Sequence, residues 1–121
     1  MSSIIHKKVY LEFLNLLEEF NQELNRFDKP IIQESESWCN LQKFCQEQLF
    51  PLTENDLEES IIQQWRSLQI EIQREFRLLN TDILFLGASR QTKTKEVRLQ
   101  SIGDRVTRLV QFSTMAKNLV S

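Results

Sequence analysis

Apolar side chains fall along this chain in four stretches with helical spacing. Across residues 3–27, Tyr10, Phe13, Leu17, Phe20, Leu24 and Phe27 recur at alternating steps of three and four. That spacing stacks them on one face of a helix. Val9, Leu14 and Leu16 widen the stripe, and Asp28-Lys29-Pro30 ends it, because a residue before proline is pushed out of helical geometry. A second, shorter helix is expected over 32–50, beginning at Ile32 or Ser35. Its apolar face is Trp38, Leu41, Phe44, Cys45 and Leu49, and Pro51 stops it.

The third stretch, 54–87, is the longest. Thr53 and Asp56 resemble a capping box, and Leu52 and Leu57 stand where a hydrophobic staple would place them. Glu54, Asp56, Glu58 and Glu59 bring negative charge to the positive end of the helix dipole. The stripe then runs Leu57, Ile61, Trp65, Leu68, Ile72, Phe76, Leu79, Ile83, Leu86, eight steps over 29 residues, close to the helical period. At about 1.5 Å per residue such a helix spans roughly 50 Å. A fourth helix is expected over 94–119, with Leu99, Ile102, Val106, Leu109, Ser113, Ala116 and Val120 in three-four alternation. Gly103 lies inside it, where it costs about 1 kcal/mol relative to alanine. A close approach by another helix would explain it.

One part of the third stretch invites other readings. "DILFLGAS" has the look of a buried strand running into a glycine turn, or of a piece of membrane anchor. The apolar period continues through it unchanged, whereas a strand would switch to period two. Dinucleotide binding needs several glycines close together, and the only two, Gly87 and Gly103, are sixteen residues apart. A membrane span needs about 20 apolar residues, and Asp82 interrupts this run. The segment therefore reads as the last turns of the third helix, with Gly87 near its end.

Four amphipathic helices with short connections predict an all-α fold, an antiparallel four-helix bundle in one domain over 1–121. Two Gly and two Pro among 121 residues agree, since turn-rich β folds lean on both. The second helix is too short to cover the third. The exposed remainder of the stripe predicts a symmetric homodimer.

Composition narrows the function. With 40% hydrophobic and 26% charged residues, no amino-terminal signal pattern and no membrane span, the expectation is a cytoplasmic globular protein. Its pI of about 5.5 and the absence of a helix-turn-helix signature argue against nucleic acid. Charge is unevenly placed: residues 1–89 hold 8 Lys/Arg against 15 Asp/Glu, a balance of −7. Residues 90–121 hold 7 against 2, a balance of +5.

Candidate chemistry is sparse. His6, the single histidine, reads as a solvent-exposed residue near a frayed terminus. Cys39 and Cys45, six apart on one helix, face different directions and read as buried structural thiols, with no further ligands to make a zinc site. The Glu-x-x-His motifs of carboxylate-bridged metal pairs do not occur. No catalytic residue, cofactor or metal is expected. Trp65 and Trp38 read as core, with an interface anchor as the alternative. Asp82 is the best carboxylate for an enzyme built inside the bundle. It reads rather as lying on the outer edge of its helix or paired with a basic residue. The basic set Arg90, Lys93, Lys95, Arg98, Arg105 and Arg108 is the most suggestive feature. Helix stability does not account for it, since cations at the start of the fourth helix oppose its dipole. Asp104 and Arg108 stand at i,i+4, a spacing at which opposite charges on a helix are favourable. Two readings stand: a solvated or internally paired face, or a surface for an acidic partner.

Three stretches, "YLEFLNLLEEF" (10–20), "LLNTDILFLGASRQ" (78–91) and "RLQSIGDRVTRLVQF" (98–112), in this order and with this total length, resemble the cyanobacterial heterocyst frequency control protein PatD family. The resemblance implies a small non-enzymatic cytoplasmic regulator that affects how often vegetative cells become heterocysts. It also implies a link to cell division through the tubulin-like protein FtsZ, whose assembly it would modulate. A generic helical adaptor unconnected with development is the alternative.

Overall fold

The computed structural model describes residues 4–25 and 32–121. Four helices form an antiparallel bundle: α1 (Ile4–Leu24), α2 (Glu36–Phe44, continued by a π-turn at Cys45–Leu49), α3 (Ile62–Ala88) and α4 (Thr92–Val120). The all-α bundle expected from periodicity is the fold observed. The expected end of the first helix at Phe27 and its Asp28-Lys29-Pro30 stop lie outside the described residues.

Every described position of the four apolar stripes is buried or half-buried. Val9, Tyr10, Phe13, Leu17 and Phe20 on α1 meet Trp38, Leu41, Cys45 and Leu49 of the α2 segment. They also meet Trp65, Ile72, Phe76, Leu79 and Ile83 on α3. From α4 come Ile102, Val106, Leu109, Ala116 and Val120. Helix α4 packs against α3 on one side and α1 on the other, and α1 packs against α2. Large rings fill the space between α2 and α3: Trp38 stacks on Phe76 at 5.3 Å, and Phe50 meets Phe76 edge-on at 5.8 Å. Both tryptophans are core, as expected.

Helix α2 starts where Ser35 caps it, its hydroxyl accepting from the Trp38 N–H at 3.1 Å. Near its end the Phe50 N–H reaches back five residues to the Cys45 carbonyl at 2.8 Å. Pro51 has no N–H with which to continue the ladder. The Leu49 carbonyl accepts from the Leu52 N–H and from the Gln69 side-chain amide. That amide is one link of a buried chain: Trp65 Nε1–H donates to the Tyr10 hydroxyl (2.7 Å). Tyr10 in turn donates to Gln69 Oε1 (2.8 Å), and Gln69 Nε2–H donates to Leu49 O (2.9 Å). The chain ties α1, α3 and the end of the α2 segment, with every buried polar atom in it satisfied. Burial pushes the Tyr10 hydroxyl pKa up, opposed only partly by the Trp65 hydrogen bond.

The third helix begins later than its sequence signals suggest. Residues 54–61 form a turn and a 3₁₀ segment (Glu59–Ile61), and α3 proper starts at Ile62. The capping box does not form. Thr53 Oγ1 accepts from the Asn55 N–H two residues on, and Asp56 takes a left-handed φ of 72°. The Leu57 N–H returns to the Glu54 carbonyl at 3.1 Å, which places Asp56 where a tight turn needs positive φ. Tertiary contacts favour this turn over a first helical turn. Leu52 and Leu57 pack against the core, and Glu54 receives a two-pronged contact from Arg66 on the opening turn of α3. That contact holds the Glu54 carboxyl below its ordinary pKa. The segment 50–61 therefore covers the start of α3 that α2 does not reach. Helix α3 has 27 residues, about 40 Å, and α4, starting at Thr92 rather than Thr94, is longer at 29.

Candidate interaction surface

The basic set divides in two. Arg98, Arg105 and Arg108 lie against α3, where Glu75 and Asp82 are 3% and 6% exposed. Asp82 accepts from Arg98 Nη1 (3.3 Å), Ser101 Oγ (2.7 Å) and Arg105 Nε (3.4 Å). Glu75 accepts from Arg105 Nη1 and Arg108 Nε, both at 3.3 Å. Arg105 bridges the two acids. The spacing makes this possible: Glu75 and Asp82 are seven apart, as are Arg98 and Arg105, and Ser101 and Arg108. Seven residues are close to two helical turns, so antiparallel α3 and α4 present facing rows of opposite charge. The internal pairing left open by the sequence holds for these three arginines. Asp82 is paired with basic residues as expected, but it is buried in the α3–α4 contact rather than placed on an outer edge. Glu75, its equal in this seam, was not singled out by pattern. Its signal was the seven-residue step to Asp82.

Arg90, Lys93 and Lys95 are exposed around the α3–α4 turn and have no ion pair among the described residues. No residue from Leu84 to Val97 is buried. Leu84, Phe85 and Val97 are 53%, 49% and 60% exposed. The tip of this hairpin thus presents cations beside apolar side chains. Arg98 marks its boundary, since its guanidinium lies 4.7 Å from the centre of the Phe85 ring while pairing with Asp82.

Two other sequence candidates take different positions from those expected. His6 is buried. Its Nε2–H donates to the Thr53 carbonyl at 2.7 Å, and its ring meets Trp65 edge-on at 5.6 Å. A carbonyl only accepts, so the proton sits on Nε2, and Nδ1 is buried with no hydrogen-bond partner among the described residues. The contact joins α1 to the segment after α2 and seats a polar residue near the amino terminus in the protein interior. Cys39 is exposed, whereas Cys45 is the buried thiol. Burial pushes the Cys45 thiol pKa up, away from the thiolate that nucleophilic chemistry requires. The close approach imagined at Gly103 is absent: a Cβ built there meets nothing within 4 Å.

Among the described residues no group of three or more His, Cys, Asp or Glu is placed to hold a metal ion, and no helix is long and apolar enough to cross a membrane. A shallow hollow of about 230 Å³ between α1 and α2 is lined by Glu19, Gln22, Glu23, Glu36, Ser37 and Asn40. Compared with known protein families, curated proteins and solved structures, the chain matches none.

Proposed function

We propose that this chain is a non-enzymatic regulatory module that works in the cytoplasm by binding an acidic protein partner through the tip of its α3–α4 hairpin. One observation carries the reading: Arg90, Lys93 and Lys95 stand exposed, with no ion pair among the described residues, on the same hairpin tip as the exposed Leu84, Phe85 and Val97, while the other arginines of the set pair with Glu75 and Asp82 of α3. Unpaired cations beside apolar area supply both steering and desolvated contact to an acidic surface. The resemblance to the PatD family nominates FtsZ as that partner and control of heterocyst frequency and cell division as the process. The charge pattern by itself supports the broader reading of a helical adaptor. A homodimer belongs to the same proposal.

The test is co-sedimentation with polymerised FtsZ over a salt series. Raising ionic strength from 0.1 to 1 M shortens the Debye length from about 10 to about 3 Å and should weaken binding. The informative variant is Arg90→Glu/Lys93→Glu/Lys95→Glu, expected to slow association with the helical fold intact. Arg98 is left in place, because reversing it would set a carboxylate against Asp82 and confound binding with folding. Equal binding by parent and variant at every salt would remove the tip from the interaction. No binding by the parent would leave the adaptor reading without FtsZ as its partner.

A further inference from the structure

The acidic hollow between α1 and α2 and the basic hairpin tip are complementary surfaces of one chain that do not meet within that chain. Among the described residues Glu19 and Glu36 have no ion pair, and Glu23 accepts only from the Ser37 hydroxyl. Three carboxylates thus line a hollow large enough to admit the ends of long side chains, and three cations at the tip have no ion pair among the described residues. Both surfaces lie at the same end of the bundle. Helices α1 and α3 run in parallel, as the pairs His6–Trp65 and Tyr10–Gln69 show. The carboxyl end of α1 and the start of α2 therefore lie towards the α3–α4 turn.

We infer that the hairpin tip of one copy docks into the α1–α2 acidic hollow of a second copy. The inference rests on the reading of the tip as a docking surface. Because tip and hollow share one end of the molecule, a two-fold axis lets each copy's tip reach the other's hollow, forming the contact twice in a closed dimer. Leu84, Phe85 and Val97 supply the apolar area that charge pairs alone would lack, since exposed ion pairs contribute little by themselves. Docking covers the tip, so a second copy and an acidic partner compete for it, and self-association sets how much of the protein is available to bind.

Sedimentation velocity at micromolar concentration and low salt tests this without any partner. The parent is expected near twice its 14.4 kDa, falling to the single-chain mass in high salt. The tip variant Arg90→Glu/Lys93→Glu/Lys95→Glu and the hollow variant Glu19→Lys/Glu23→Lys/Glu36→Lys should each sediment as single chains. Their equimolar mixture should recover the doubled mass, because each reversed surface then faces its complement. Glu19→Gln/Glu36→Gln, which keeps the Glu23–Ser37 bond, gives a milder variant expected to weaken the dimer with the helical circular dichroism unchanged. A parent that stays at 14.4 kDa overturns the inference but leaves the binding of an acidic partner to stand or fall by co-sedimentation. A dimer that survives both reversals, or a mixture that fails to recover it, removes this pair of surfaces. In partner assays the hollow variant should bind more tightly than the parent, and weaker binding would count against competition.

Discussion

The α3–α4 seam and the hairpin tip draw on the same stretch of basic sequence, yet they sit in opposite physical settings. In the seam, Arg98, Arg105 and Arg108 meet carboxylates that are almost wholly removed from water. At the tip, Arg90, Lys93 and Lys95 face solvent. Register explains the difference. Residues 98, 105 and 108 recur on the side of α4 turned to α3, whereas 90, 93 and 95 fall in or beside the turn, where α3 ends. The comparison teaches that a cationic run is not one feature. Its members are paired within the molecule or left exposed according to which face of a helix carries them and whether another helix is there to receive it.

Seam and tip should therefore respond oppositely to substitution. The largest effect is expected from Arg105→Ala, which removes the cation shared by Glu75 and Asp82 and leaves two buried carboxylates short of a partner. A loss of about 3 kcal/mol in chemical denaturation is expected. A loss under about 1 kcal/mol would mean that water and the neighbouring arginines replace it, and the contrast with the tip would weaken. Next is Gly103→Ala, within the same reach of α4 but on a side where the added methyl meets nothing. It should raise stability by about 1 kcal/mol; a destabilised variant would show that something approaches α4 there. The smallest effect is expected for Lys93→Ala and Lys95→Ala, each within about 0.5 kcal/mol of the parent, as for surface positions without a packed partner. A larger loss would place these lysines in the folded structure's own support and remove them from the free tip.

A sharper form of the comparison uses both regions at once. Asp82→Asn removes a charge from the seam while keeping its shape, and the tip triple reversal changes charge without touching the seam. If seam and tip are independent, their effects on stability should add to within about 0.5 kcal/mol. Departure from additivity, read from denaturation of the double variant, would show the two halves of the basic set to be coupled through Arg98, which touches both Asp82 and Phe85.

The sequence alone determined the helices and their buried faces. From Leu99 to Val120 on α4, every stripe position but Leu99 is buried, and "DILFLGAS" is the helical end its unbroken period required. Periodicity is a local property, set by backbone geometry, so it survives without knowledge of neighbours. Three things needed the tertiary structure. Thr53 and Asp56 carry a capping signal, but the contacts of Leu52, Leu57 and Glu54 draw that segment into a turn. His6 looks like a terminal polar residue until the Thr53 carbonyl comes to it from 47 positions away. The basic set looks uniform until α3 supplies Glu75 and Asp82 to half of it. In each case the deciding partner is distant in sequence, and a local pattern holds no information about which distant group will arrive.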